Sequence, residues 1–401
     1  MKSTCSKSSS SSLRILSLVN LDWNRHLGAA RVYMELHERW QAAGHLVEHF
    51  SFSEAFPEKH RSSREYAVRR LTFPRKAAAF VRANGGRFDV IDALAGSLSA
   101  SKRKLRFQGL MVARSVGYPR VYDRFERTIP TRWPARDAGT LAGKIFYSTV
   151  NKMVMRVSDA AARSADLINV PNKEEESFLK DALGENKPII VQPYGLTSEH
   201  RSTLFSAAAS PVDRLRRKTI SFVGMWLPRK GARIWGEIAR RVLDRVPEAQ
   251  FRFLGTMVAP EIVLRDLGEE FSASVHSVPE FSPAELTTLL STCTIGGFPS
   301  YVEGFGLAIL EQLAAGIPTV AFDQGGPRDI LGSSMPQLLV PTGDVEGFAN
   351  ALVRTLQFEL PEYQRLVELS LATAESYSWS KIADDTLEQY RAALREIKDA
   401  P

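Results

Sequence analysis

The chain has 401 residues, long for a single hydrophobic core, so two domains are expected. Its length and composition exclude a membrane-spanning helix, because no 18 consecutive residues are apolar. Two cysteines, Cys5 and Cys293, exclude a disulfide framework and favour the cytoplasm. The net charge of +7 is uneven: residues 1–212 carry 33 Lys and Arg against 20 Asp and Glu, and residues 213–401 carry 19 against 25. The excess is densest over 59–136, with 19 basic and 5 acidic residues. Solubility alone accounts for such charge, and so does an anionic partner such as membrane lipid or a phosphate-bearing acceptor. Nucleic acid is not expected, since no zinc spacing, stacking motif or recognition helix accompanies the charge.

In chain order, the Ser-rich start 1–12 (MKSTCSKSSSSS) reads as a disordered tail rather than a signal peptide. Residues 13–19 (LRILSLV) read as a strand, 20–28 as a loop, and 29–43 as a helix with Val32, Leu36 and Trp40 on one face. Gly44 stops that helix and 45–51 (HLVEHFS) is the next strand. Further strands fall at 88–91, 109–114 and 167–170. Residues 118–138 lack a clean period and contain prolines, so a long loop is expected there, followed by a helix over 141–163.

The second half starts again with a strand at 219–224 (TISFVG). Helices follow at 233–246, 283–291, 307–315 and 347–356, and strands at 250–254, 294–298, 319–322 and 337–340. This alternation predicts an α/β protein of two Rossmann-like βαβ domains, each with a mainly parallel sheet. The polar stretch 198–217 is the expected boundary, and 378–397 reads as an amphipathic helix.

The stretch 300–330, SYVEGFGLAILEQLAAGIPTVAFDQGGPRDI, carries the densest chemical signal. Glycine costs about 1 kcal/mol inside a helix, so Gly304 and Gly306 at a helix start need a reason, and close approach of a ligand is one. With the helix starting near Gly304, Glu303 stands at its mouth and Glu311 about 12 Å along the axis. That spacing rules out an acid/base pair acting on one bond. Between the two glutamates, the N–H groups of Phe305, Gly306 and Leu307 point out of a helix N-terminus, where an anion is favoured. A sugar joined through a diphosphate to a ribose fits the order of hydroxyl acceptor, anion cradle and hydroxyl acceptor. First-turn electrostatics alone would explain Glu303 taken singly, but not the whole string.

The segment 222–231, FVGMWLPRKG, is the second signal: a strand end, a turn, then Arg229, Lys230 and Gly231. In open α/β sheets ligands sit at the carboxyl ends of strands, and two cations there suit a diphosphate. The loop 20–28 ends at Gly28, which opens a helix; an ordinary tight turn explains it equally well, and His26 beside it reads as a loop histidine. No metal site is expected, because no H-x-x-x-H helix, Cys cluster or carboxylate triplet occurs. The G-x-S-x-G elbow and the G-x-x-x-x-G-K-[ST] phosphate loop are missing too.

The string 298–330 resembles the donor-site signature of retaining glycosyltransferase family four, whose fold is GT-B: two Rossmann-like domains facing across a cleft. FVGMWLPRKG is similar to that family's strand-turn-lysine element. VQPYGL (191–196) resembles its last motif before the interdomain hinge, and LLVPTGD (338–344) with the helix at Trp379 resembles its closing elements. The likeness spans about 14–394 and is specific in the second half.

The resemblance implies the following. Residues 13–200 would form the acceptor domain and 201–376 the donor domain, with 377–401 a helix crossing back to the first. Glu303 would bind donor-sugar hydroxyls near the reacting carbon and Lys230 would stabilise the departing diphosphate; these are the expected catalytic residues. Arg229, Gly304, Phe305, Gly306, Leu307 and Glu311 would bind the donor, with Glu311 on the ribose. Gly28 and Arg114 are the candidate cleft residues of the first domain.

Three positions depart from the family pattern. Met225 stands where an arginine is usual, with Arg229 a possible substitute. Val116 stands where histidine often precedes the glycine, and Arg328 replaces the usual glutamate after Pro327. The implied activity is transfer of a sugar from a nucleotide-diphosphate donor to a glycan, lipid-linked or small-molecule hydroxyl, with no metal or other cofactor. The alternatives are a non-catalytic sugar-nucleotide-binding subunit and a sugar-nucleotide epimerase. The basic first half adds peripheral contact with an anionic membrane at its cytoplasmic face.

Overall fold

A computed structural model describes residues 12–25, 27–58, 61–128 and 140–399. The expectations for the tail at 1–11 with Cys5, for His26, and for 129–138 lie outside the described residues. Twelve strands are described: β1 (Arg14–Leu18), β2 (Leu46–Phe50), β3 (Val90–Leu94), β4 (Leu110–Arg114), β5 (Leu167–Val170), β6 (Ile189–Val191), β7 (Thr219–Val223), β8 (Gln250–Leu254), β9 (Val275–Val278), β10 (Ile295–Phe298), β11 (Thr319–Asp323) and β12 (Leu339–Pro341). They form two six-stranded sheets, ordered β2-β1-β3-β4-β5-β6 and β12-β11-β10-β7-β8-β9. Every strand pair is parallel; Ile15 pairs with Val47 on one side and Val90 on the other, and Ile295 pairs with Ile220.

Parallel strands need crossover helices, which cover both sheet faces. That is why β3, β4 and β7 are buried at every position while the edge strand β2 alternates. In the first sheet the strand order reverses between β1 and β3; in the second it reverses between β7 and β10. At such a switch point neighbouring loops leave the carboxyl edge in opposite directions and open a crevice. The two strongest sequence motifs, 222–231 and 298–306, are the loops that follow β7 and β10. The topology therefore brings together two segments about seventy residues apart in the chain.

Some elements differ from the expectations. Residues 119–128 are not a loop but the helix Pro119–Thr128. The helix Ser63–Asn84 went unread: Pro74 lies in its interior, where proline normally breaks a helix. Ser62 nonetheless caps its start, the hydroxyl accepting the Glu65 N–H at 3.2 Å. The expected boundary stretch holds the helices Ser198–Ser206 and Pro211–Arg217.

The last helix, Trp379–Asp399, lies on the first sheet's side. Its Ala383 carbonyl accepts the Trp40 indole N–H at 3.1 Å, and its Tyr390 hydroxyl donates to Asp92 of β3 at 2.6 Å. To reach that position the chain passes beside its earlier crossing. Leu196 N–H donates to the Tyr377 carbonyl at 3.0 Å, and Leu196 and Ser378 form a parallel bridge.

Candidate functional site

The two switch-point loops of the second sheet are tied directly. The Tyr301 N–H donates to the Arg229 carbonyl at 2.8 Å, and the Lys230 ammonium pairs with the Glu303 carboxylate. Lys230 Nζ also lies 4.9 Å from the centre of the Phe298 ring. Both partners of the pair are largely withdrawn from water, with side chains 13% and 15% exposed, so their attraction is screened less than on an open surface. Arg229 does not join them: its guanidinium stacks on the Tyr122 ring, 5.5 Å from the centre. Met225 is 43% exposed.

The helix of this loop begins at Leu307, not near Gly304, and ends at Ala314. Glu303 therefore stands in the loop ahead of it, and the axial spacing expected between Glu303 and Glu311 does not apply. Gly306 caps the helix with φ +102°, a backbone that favours glycine. The close approach at Gly304 is to the chain's own first half, since a Cβ there would stand 2.6 Å from the Val116 carbonyl oxygen. Its N–H is not bare either: it donates to the Tyr122 hydroxyl at 3.1 Å. The Phe305, Gly306 and Leu307 N–H groups make no hydrogen bond among the described residues. Beside them, Ser300 Oγ and Gln324 Nε2 are buried polar atoms without a hydrogen-bond partner there. Buried polar groups left unmatched are uncommon in folded proteins.

Glu311 faces across the crevice. Its Oε1 lies 3.4 Å from Arg31 Nη1, on the first helix (Gly28–Ala42), and 3.5 Å from His200 Nε2. Burial pushes the Glu311 carboxyl up, but His200 and Arg31 outweigh it and hold the group below the ordinary carboxylate range. More contacts close the crevice. The Asn172 side-chain amide donates to the Gly304 carbonyl, Gly325 N–H donates to Glu174 Oε2 at 2.7 Å, and Lys173 N–H donates to Asp329 Oδ2 at 2.8 Å. Arg328 pairs with Asp323 and lies 3.8 Å from Glu174. A cavity of about 450 Å³ opens next to the loop, lined by Phe125, Phe178, Tyr301, Val302, Arg124 and Glu174.

The structure thus gathers Lys230, Glu303 and the 304–307 backbone in one place, with Arg229 and Glu311 turned to other partners. It does not bring Arg114 there. That guanidinium is 1% exposed in its side chain and bonded to Asp92 and Tyr390, inside the first half rather than on its cleft surface. Gly28 opens the first helix as expected, but a Cβ there would meet nothing within 4 Å. Sequence reasoning missed Tyr122, Asn172, Glu174, Arg31 and His200. Asn172 carried a readable signal, as a cap residue three before Glu175: its Oδ1 accepts the Glu175 N–H at 2.8 Å.

Glu175 itself is buried, its carboxylate accepting the Ser115 hydroxyl at 2.5 Å and the Tyr118 N–H at 3.0 Å. Burial pushes its carboxyl up to about 7 from an ordinary 4.5, against the pull of those two donors. Between those values the folded chain keeps a proton that the unfolded chain has lost, so stability falls as pH rises through the window and levels off above it. Relative to a Glu175→Gln variant, the parent should lose about 3 kcal/mol of unfolding free energy between pH 4.5 and 8. Denaturant titrations of both proteins at several pH values test this. A stability difference that does not change with pH rules out the assignment.

Against known proteins, residues 217–357 match the family model described as Glycosyl transferases group 1. The D-inositol 3-phosphate glycosyltransferase of Mycolicibacterium paratuberculosis is 30% identical over 48% of this chain and 43% of its own length. The MMP alpha-(1->4)-mannosyltransferase of Mycolicibacterium hassiacum is 26% identical over 81% of this chain and 76% of its own. The chain thus spans about half the length of the inositol-phosphate relatives it matches. Among solved structures, sucrose-phosphate synthase from Thermosynechococcus elongatus superposes with a TM-score of 0.71 at 19% identity, over 94% of this chain and 98% of that one. HepE from Anabaena, in complex with UDP and glucose, superposes with a TM-score of 0.64 at 15% identity, over 94% and 99%. These likenesses confirm the GT-B fold.

Proposed function

We propose, from the match of residues 217–357 to the Glycosyl transferases group 1 model and from the GT-B fold, that the chain belongs to that family and moves a sugar from a nucleotide-diphosphate donor to a hydroxyl acceptor, retaining configuration. The observation that carries this reading is the convergence of Lys230, Glu303 and the unbonded 305–307 amides at the β7/β10 switch point. The donor diphosphate would lie on those amides and on Lys230, whose charge stabilises the leaving group. Glu303, freed from Lys230, would accept hydroxyls of the donor sugar. Arg229 would turn from Tyr122 to the phosphates. Two cationic side chains and a helix start supply enough positive potential for the reaction to need no metal.

Residues 13–200 would hold the acceptor, 201–376 the donor, and 377–401 would return to the first half. Val116 and Gly117 stand against Gly304 of the donor loop, and this side of the first half would receive the acceptor hydroxyl. A glycan or a lipid-linked acceptor suits the basic first half, and the protein would work in the cytoplasm or peripherally at the membrane's cytoplasmic face. The likenesses to nucleotide-bound GT-B structures and to inositol-phosphate and mannosyl transferases support the donor class.

The test is release of nucleotide diphosphate from a panel of nucleotide sugars, with and without acceptors. No release with any donor, despite measurable nucleotide binding, would make the chain a binding module instead. Conversion of donor without acceptor would make it an epimerase. Glu311→Ala is expected to weaken nucleotide-sugar binding about tenfold, a cost typical of losing a charged hydrogen-bond acceptor. Calorimetric titration measures it, and unchanged affinity would remove Glu311 from the donor site.

A further inference from the structure

Two helices of the first half lie side by side on its outer surface: Ser63–Asn84 and Leu141–Ser164. Each shows solvent one stripe that mixes apolar and cationic side chains. On the first the stripe runs Arg64, Val68, Thr72, Arg75 and Arg82, at spacings of three, four and seven that share a face. On the second it runs Leu141, Ile145, Lys152 and Arg156, at spacings of four, seven and four. Leu141 is 75% exposed and Ile145 59%, and Met153 beside the stripe is 44% exposed. Large apolar side chains grouped on one helix mark a contact surface more often than scattered ones do.

Arg64, Arg75, Arg82, Lys144, Lys152 and Arg156 make no side-chain hydrogen bond or ion pair among the described residues. Elsewhere on the surface arginines such as Arg69, Arg87 and Arg241 are paired with carboxylates. Between the two helices lies a cavity of about 400 Å³. Its mouth carries Arg75 and Arg156, and Leu71, Pro74, Met153 and Val157 line its walls. Ser99, from the loop that leaves the carboxyl end of β3, closes one side. The cavity thus opens beside the edge of the first sheet that faces the donor half.

We propose that this face docks on an anionic lipid bilayer. Leu141 and Ile145 enter the interface, the Arg75/Arg156 cavity takes a lipid phosphate, and the remaining cations lie against the charged headgroups. Apolar tips that enter the bilayer boundary and cations that face anionic lipid are the two terms that hold peripheral helices to membranes. The charge sign selects lipid over an apolar protein partner: beside its small apolar group the face carries six cations that have no partner among the described residues. The inference deepens the reading of a lipid-linked acceptor, because docking here would present the carboxyl edge of β3 towards the membrane.

Cosedimentation with phosphatidylcholine vesicles, with and without phosphatidylglycerol, tests the proposal. Binding to the anionic vesicles should exceed binding to the neutral ones at least tenfold and weaken as salt rises. Arg75→Glu with Arg156→Glu should lower it at least tenfold, since each basic side chain near such a surface strengthens binding about fivefold. Leu141→Ser with Ile145→Ser should lower it severalfold at every salt concentration. Circular dichroism and the nucleotide-induced rise in melting temperature should stay as in the parent, which shows that the variants fold and separates this result from the donor-site reading.

Equal binding to neutral and anionic vesicles overturns the proposal, as does parental binding by both double variants. A dimer in light scattering that the variants abolish would assign the face to a second copy and overturn it as well. Saturable binding of inorganic phosphate with no vesicle preference would reduce it to a phosphate site. Vesicle binding that persists when no nucleotide sugar is bound or turned over leaves this inference standing and removes the transferase reading alone.

Discussion

Lys230→Ala is expected to lower turnover about a hundredfold or more while the protein stays folded. Lys230 follows β7 at the switch point, in a short helical turn closed by Gly231, and its ammonium is the cation of that loop that pairs with Glu303. When the bond between sugar and diphosphate breaks, negative charge grows on the leaving phosphate. A preorganised donor or cation removed from such a position costs about two to three powers of ten in turnover. Arg229 does not compensate in place, since it is stacked on Tyr122.

The variant also leaves Glu303 without its partner in a site largely closed to water, so a modest loss of stability should accompany the loss of rate. Steady-state kinetics on the best donor separate the effects: kcat falls strongly and KM moves less, because the interaction is made chiefly in the transition state. Lys230→Arg should recover part of the rate. A kcat within threefold of the parent for Lys230→Ala would remove Lys230 from the reaction.

The second large effect is on stability. Arg114→Met should destabilise the fold by about 3–5 kcal/mol, the cost of leaving one partner of a buried ion pair uncompensated. Arg114 Nη2 donates to Asp92 Oδ2 and to the Tyr390 hydroxyl, both at 2.8 Å, and its Nε reaches the same carboxylate at 3.1 Å. The Tyr33 hydroxyl donates to the other carboxylate oxygen at 3.2 Å. Asp92 and Arg114 are 0% and 1% exposed in their side chains.

Removing the guanidinium strands the Asp92 carboxylate in the interior and takes one of its two bonds from the Tyr390 hydroxyl, which anchors the last helix. Denaturant unfolding should report the loss, and limited proteolysis should cut the end of the chain sooner. Arg114→Met with Asp92→Leu should recover most of the deficit, because replacing both charges removes the stranded group. A single variant within 1 kcal/mol of the parent would contradict this account.

The division into two parallel α/β sheets was legible because the strands of such sheets are continuous apolar runs: LRILSLV, GLMVAR, TISFVG and QFRFL each announce themselves. The loop after β10 stood out in the sequence because Glu303, Gly304, Gly306 and Glu311 form a pattern that an ordinary amphipathic helix does not need. Contacts between distant segments were not legible. Tyr122 lies in a segment whose prolines hide a helix, and nothing in YDRFER says that its hydroxyl meets the Gly304 amide. Arg114 was misplaced for a related reason. A position at the end of a strand shows where a side chain begins, not that Asp92, Tyr33 and Tyr390 will enclose it. Gly304 was expected to admit a ligand, and its close neighbour is the Val116 carbonyl, a partner that only the folded chain can supply.

The Leu196–Ser378 bridge has a mechanical consequence. Between the two sheets the chain crosses once near residue 196 and returns near residue 378, and these crossings run side by side, hydrogen-bonded to each other. A Cβ on Gly195 would stand 2.6 Å from the Tyr377 carbonyl oxygen, so the two cannot slide apart freely. Two linkers pinned together act as one door hinge: they permit rotation about a single line and resist shear. An opening of the crevice would then take the form of a swing, in which Arg31–Glu311, Tyr122–Gly304 and Asn172–Gly304 part together.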